Sequence, residues 1–203
     1  MEIYASSRSQ DGRTSNEDAF LIGRSPVDHA VLCDGSGAAG RVGNRALQVF
    51  GKLVGEVPPE GLQRFETWAH WTRLLDSALL GGPQSTFLAV ACLGHRVVGV
   101  CAGDSRLYHL DQAGKPVIVT EAASKARLGS GKVDPFPIHL RTHPGDVLLL
   151  MSDGAWTPLN LAALQRLWAR SLGRHFTEFP SMILDESGKA GRADDMTVIA
   201  VKV

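Results

Sequence analysis

The chain has 203 residues, 44% hydrophobic and 21% charged, with Lys+Arg and Asp+Glu balanced at 21 each. These values describe one ordinary globular domain over residues 1–203, with room for a sizeable core. Zero net charge without basic runs speaks against nucleic acid, and the apolar stretches are too short to span a bilayer.

The N-terminal "MEIYASSRSQDGR" has no apolar signal-peptide core, so the expected compartment is cytoplasmic. "EIYASS" (2–7), "AFLIG" (19–23) and "HAVLCD" (29–34) read as short strands between polar turns. "RVGNRALQVFGKLVG" (41–55) places Val42, Ala46, Phe50 and Leu53 on one helical face. After the break at "PPE", residues 60–80 read as a second helix with Leu62, Phe65, Ala69, Thr72 and Leu79 along a stripe. Trp68 and Trp71 flank that stripe and are expected to pack in the core. "STFLAVACLG" (85–94) and "RVVGVCAG" (96–103) form a hairpin around Gly94-His95. "RLYHL" (106–110) and "KPVIVT" (115–120) are expected to continue that meander.

"GDVLLLMSD" (145–153) is a further buried strand. "LNLAALQRLWARSL" (159–172) and "FTEFPSMILDESG" (176–188) read as helices, the second with Pro180 near its start, and "DMTVIAVKV" (195–203) is the closing strand. Strands do not alternate with helices, which disfavours a doubly wound parallel sheet. The expected class is α+β: two antiparallel sheets packed face to face, with helices outside. Cys33, Cys92 and Cys101 are an odd set inside apolar strands, without zinc-type spacing, and read as small core residues in a reducing compartment.

Carboxylates recur at the ends of these strands. Asp34 ends one, in "AVLCDGSGAAG"; Asp104 ends another, in "GVCAGDSR"; Asp153 ends a third, in "LLLMSDG". Asp194 and Asp195 begin the last strand, and Glu17 and Asp18 precede "AFLIG". Any one of them is readily a turn or a cap. Packed sheets, however, bring strand ends to one rim, where clustered carboxylates repel unless they are protonated or share a cation. Oxygen ligands without His or Cys suit Mg²⁺ or Mn²⁺ and not zinc. The small residues after Asp34 leave space for a metal-bound water or a phosphate. Spacing alone supports a divalent-metal site and no particular chemistry.

Five stretches, in order, resemble the PP2C (PPM) family of metal-dependent protein serine/threonine phosphatases: "RTSNEDAF", "AVLCDGSG", "STFLAVACLGHRVVGVCAGDSRLYHL", "GDVLLLMSDGAW" and "DDMTVIAV". The resemblance implies the sandwich described above and a two-metal centre between its sheets. It implies that Asp34 bridges two Mn²⁺ or Mg²⁺ ions, that Gly35 offers its carbonyl to one, and that Asp153 and Asp194 hold the other. Asp104 would serve a third, looser ion. Glu17 and Asp18 would act through metal-bound waters, and Asp195, where the family usually has Asn, would be a neighbour. Arg13 would hold the substrate phosphate; Arg8 competes for that role, with a spacing that fits less well. The implied reaction is in-line hydrolysis of phosphoserine or phosphothreonine by a metal-bridging water or hydroxide.

The chain also departs from the family pattern. Ser36 follows the Asp-Gly where relatives often carry His or Met, and the run after it reads Ala38-Ala39-Gly40-Arg41. Thr157 stands where many relatives have another Asp, so two tight ions and a third weak or absent are expected. Residues 121–144 are short where most relatives insert a flap, as in a minimal, bacterial-type member, and are expected to leave the metal cleft open. The implied partners are phosphorylated proteins, the expected state a monomer. The alternative is a pseudophosphatase that binds phosphoproteins or partners without turnover.

Overall fold

In the computed structural model, which describes residues 1–36, 41–191 and 193–203, ten strands and five α-helices form four layers. One sheet runs in the order β1 (Glu2–Arg8), β10 (Met196–Lys202), β9 (Val147–Met151), β6 (Arg106–Leu110) and β7 (Pro116–Ile118). The other runs β2 (Asp18–Gly23), β3 (His29–Asp34), β4 (Phe87–Leu93), β5 (Arg96–Ala102) and β8 (Phe136–Arg141). Every pairing is antiparallel. The expected α+β sandwich is therefore the observed one. No helix among the described residues is long and apolar enough to cross a membrane.

Three apolar layers explain why the central strands are apolar on both faces. Between the sheets, Ala30, Leu32, Leu88, Val90, Leu148, Leu150, Ile199 and Val201 interdigitate. On the outer face of the second sheet, Val31, Cys33 and Ala89 meet α1 (Arg41–Gly55) and α2 (Phe65–Leu79) around Phe50, Trp68 and Trp71. On the outer face of the first sheet, Leu149, Met151, Val198 and Ala200 meet α4 (Leu161–Ser171) and α5 (Phe179–Ser187). Strand alternation then decides where the polar ends point. Asp34 has the parity of Ala30 and Leu32, and Ser152 that of Leu148 and Leu150, so both reach the rim of the inter-sheet space. Cys33 has the opposite parity and packs under α1. All three cysteines are free and buried, and burial pushes their thiols upward.

Several details differ from the reading of the sequence. The helix expected over 60–80 is a 3₁₀ turn, Gly61–Gln63, followed by α2, and Phe65 lies on its exposed side. β6 does not continue the β4–β5 meander. The chain turns at Gly103 (φ +96°), where Thr86 leaves no space for a Cβ, and β6 enters the opposite sheet between β9 and β7. Asp153 does not end β9 but opens a four-residue helix, α3 (Asp153–Trp156). The 121–144 segment holds an edge strand, β8, paired with β5. Pro180 sits in the first turn of α5, where its missing N–H costs nothing.

Candidate metal and phosphate site

The rim where β2 begins and β3 and β9 end gathers the carboxylates. Asp18 and Asp34 are direct cross-strand partners. Asp34 is fastened through its backbone: its N–H donates to Thr86 Oγ1 (2.9 Å), and its carbonyl accepts from Thr86 N (2.8 Å) and Ser85 Oγ (3.1 Å). The Thr86 hydroxyl in turn bonds Ser105 Oγ at 2.7 Å, which ties Asp34 to the loop that carries Asp104. Trp156 Nε1 donates to the Asp104 carbonyl at 3.1 Å, and the Arg106 guanidinium lies over the Trp156 ring. Ser152, just before Asp153, donates from Oγ to Asp18 Oδ2 (2.8 Å) and so joins the two sheets at the rim.

One oxygen from each of Asp34, Asp104 and Asp153 lies within 4.8 Å of the others. Asp34 Oδ2 is buried and, among the described residues, has no hydrogen-bond partner. Burial, then the charges of Asp18 and Asp153, push the Asp34 carboxyl up to about 8. Burial pushes Asp18 to about 7, against the hydrogen bonds from Thr197 and Ser152. Asp153 is raised by burial, then by Asp194 and Asp104. An all-oxygen cluster with an orphaned buried oxygen and carboxyls reluctant to ionise fits a hard divalent cation, which would supply the missing positive charge.

The other sequence-derived residues surround this trio. Asp194 is exposed at the start of the loop into β10 and lies next to Gly154; its charge acts on Asp153, but its carboxylate is not part of the trio. Asp195 is buried, and its carboxylate accepts the Gln10 N–H (2.7 Å) and the Glu17 N–H (2.6 Å), which pins the 10–17 loop to β10. Gly35 leaves no room for a side chain, because a Cβ would stand 2.9 Å from the Glu17 carbonyl oxygen. Arg13 is half exposed and pairs with Glu17 at 3.3 Å. Arg8 pairs with Asp185 of α5 at 2.6 Å, on the helix side of the fold. Residues 37–40, including the Ala38-Ala39-Gly40 stretch, lie outside the described residues.

Arg127 was not singled out by the sequence. Its guanidinium is 2.8 Å from Asp104 Oδ1, 3.7 Å from Asp34 Oδ1 and 3.8 Å from Asp153 Oδ2. The segment expected to leave the cleft open thus supplies a side chain to it. Beside the trio lies a polar cleft of about 190 Å³, lined by Asp104, Ser105, Arg106, Lys125, Asp153 and Trp156 among others.

Comparison with known proteins gives a consistent result. The family model described as stage II sporulation protein E (SpoIIE) matches residues 69–203, well over half of the chain. No curated protein sequence matches. Among solved structures, a serine/threonine phosphatase of S. agalactiae is similar with a TM-score of 0.87 at 19% identity, covering 100% of this chain and 99% of its own. The serine/threonine phosphatase PstP/Ppp of Mycobacterium tuberculosis is similar with a TM-score of 0.81 at 18% identity, covering 100% and 98%. The catalytic domain of the serine/threonine protein phosphatase PstP, in complex with two manganese ions, is similar with a TM-score of 0.79 at 21% identity, covering 99% and 97%. At these identities the likeness establishes the PP2C-type fold over the whole chain.

Proposed function

The chain belongs to the SpoIIE family, and from that membership we propose that it is a metal-dependent phosphatase that hydrolyses phosphoserine and phosphothreonine in proteins, as one domain over residues 1–203. The observation that carries this reading is the Asp34–Asp104–Asp153 trio with its orphaned Asp34 oxygen. Three converging carboxylates would repel the anionic ligand of a phosphoprotein-binding module, whereas a phosphoryl-transfer site needs them to hold cations against an anionic substrate.

In this reading Asp34, Asp104 and Asp153 hold the divalent cations, Mn²⁺ or Mg²⁺, with the Gly35 carbonyl and Asp194 at the margin. Bound cations would supply a water acidic enough to attack at neutral pH and positive charge to face the phosphoryl oxygens. The protein does the positioning. Thr86, Ser85 and Ser105 fix Asp34 from behind, and Ser152 fixes Asp18. Arg13 offers a planar fork of donors to the phosphate oxygens, exchanging its contact with Glu17 for the substrate. Asp195 holds the loop that carries Arg13. Arg106, Lys125 and Trp156 line the adjoining cleft, where the residues beside the phosphorylated one would lie.

The test is hydrolysis of p-nitrophenyl phosphate and of a phosphothreonine peptide, with and without Mn²⁺. Turnover that requires Mn²⁺ is the expected result. Tight phosphopeptide binding without turnover at any Mn²⁺ concentration would replace this reading with a pseudophosphatase.

A further inference from the structure

Arg127 occupies the position where a cation is wanted, and its surroundings explain how it gets there. The next residue, Leu128, is fully buried and exchanges two backbone hydrogen bonds with Ser85: Leu128 N to Ser85 O (2.8 Å) and Ser85 N to Leu128 O (3.2 Å). Ser85 also bridges Gly35, so the backbone beside Arg127 is joined to the backbone just after Asp34. From the other side, the buried carboxylate of Asp76 on α2 accepts the N–H groups of Gly129 (2.7 Å), Gly131 (3.1 Å) and Val133 (3.4 Å). Gly129 and Gly131 both have positive φ, the conformation that lets successive N–H groups converge on one carboxylate. The loop is therefore fastened at 128–133, and the guanidinium stands at the end of a flexible side chain that can turn while its backbone stays in place.

The guanidinium reaches all three carboxylates of the trio. It is a single positive charge placed among groups that would otherwise repel one another, at the position a divalent cation would share.

We propose that Arg127 is a tethered counter-ion that competes with divalent cations for Asp34, Asp104 and Asp153, so that it sets the cation concentration at which the site loads and supports the fold when no cation is bound. The proposal rests on the metal-site reading given above. It distinguishes two roles with opposite signs. If Arg127 only stapled the loop over the site, removing it would loosen the carboxylates and weaken cation binding. As a competitor, its removal strengthens cation binding and weakens the metal-free protein.

The experiment is Mn²⁺ titration by calorimetry, with thermal melts of the metal-free protein, on the wild type, Arg127→Gln and Arg127→Lys. Arg127→Gln should bind Mn²⁺ about tenfold more tightly or better, the scale of removing a unit charge a few ångströms from the ion. Its metal-free melting temperature should fall below that of the wild type. Arg127→Lys keeps the charge but not the fork that spans three carboxylates, and should give a smaller gain. Mn²⁺ affinity that is unchanged or weaker in Arg127→Gln overturns the proposal; should that variant fail to fold, unchanged or weaker affinity in Arg127→Lys does so. Absence of Mn²⁺ binding by wild type and variants alike overturns the metal-site reading instead.

Discussion

Asp18 and Asp34 face one another directly across β2 and β3, two buried carboxyls in a single cross-strand pair. Like charges so placed are unfavourable, and here they lie at the junction of two sheets. Asp18 does not approach the carboxylate trio closely enough to join it, but it receives the Ser152 hydroxyl and adds to the field at Asp34. The pair makes a carboxylate-rich rim costly in the absence of a cation.

The cost has a pH signature. Burial holds Asp18 at about 7 and Asp34 at about 8 in the folded chain, well above the ordinary carboxyl value of 3.8. Between roughly pH 4 and pH 7–8 the folded protein retains protons that the unfolded chain has released, so metal-free stability is greatest at low pH and falls as pH rises through these values. Melting temperatures of chelator-treated protein should decline from pH 5.5 to pH 8. Asp18→Asn should flatten that decline and melt above the wild type at pH 8. A wild-type melting temperature that rises across this range would contradict the assignment.

Asp34→Asn and Asp153→Asn should each lower kcat/KM toward a phosphothreonine peptide by ~10²–10³-fold, the scale of losing one preorganised charge in a transition state. Each should retain its fold, because each replaces one carboxylate by an amide of the same shape without removing packing. Mn²⁺ affinity should fall in the same variants. Near-normal turnover by either purified protein at modest Mn²⁺ would remove that residue from the site.

The two candidate arginines are separable by kinetics. Arg13 sits on the loop held by Asp195 and pairs only loosely with Glu17, whereas Arg8 is committed to Asp185. Arg13→Ala should raise KM for phosphorylated substrates by about tenfold, the worth of a charge-assisted hydrogen bond. Arg8→Ala should leave KM near its original value. A larger KM effect from Arg8→Ala would reverse the choice.

The resemblance sets Asp194 beside Asp153 and Asp104 apart, whereas the geometry brings Asp104 into the trio and leaves Asp194 outside it. The three aspartates were each legible in the sequence, because each adjoins an apolar run and such runs become central strands whose ends meet at a rim. Arg127 and Asp76 were not. Arg127 lies in a stretch without apolar period, and its position depends on the bonds between Leu128 and Ser85, which are far apart in sequence. Asp76 looks like one more polar residue of an amphipathic helix until its three backbone donors, from 129–133, are seen. The passage of β6 into the opposite sheet was hidden for a related reason. A strand's alternation is the same whichever sheet it joins, and the cause of the switch is the Gly103 turn against Thr86. β8 carries little sequence signal because Pro137 and a half-exposed pattern mark an edge strand and not a central one.

Gly154 provides the last test, since it lies where α3 meets the start of β10. Its backbone is not in the left-handed region, so space alone decides what it tolerates. A Cβ there would stand 2.2 Å from the Asp195 carbonyl oxygen and 3.1 Å from Asp194 Cβ. The first obstacle is backbone and cannot rotate away, so Gly154→Ala must push α3 from β10. That movement carries Asp153 with α3 and disturbs Asp195, which holds the Gln10 and Glu17 amides. The expected loss is about 1–3 kcal/mol, as for other overpacked sites, accompanied by weaker Mn²⁺ binding. Gly51→Ala is the contrasting control: on the exposed face of α1, a Cβ meets nothing nearer than Leu21 Cδ2 at 4.0 Å. It should stabilise the chain by about 0.5–1 kcal/mol, because alanine loses less backbone freedom in a helix. Thermal melts and Mn²⁺ titration of the two variants check both statements. A Gly154→Ala protein with wild-type melting temperature and affinity would show that α3 can shift freely, and that the spacing of Asp153 from β10 does not govern the site.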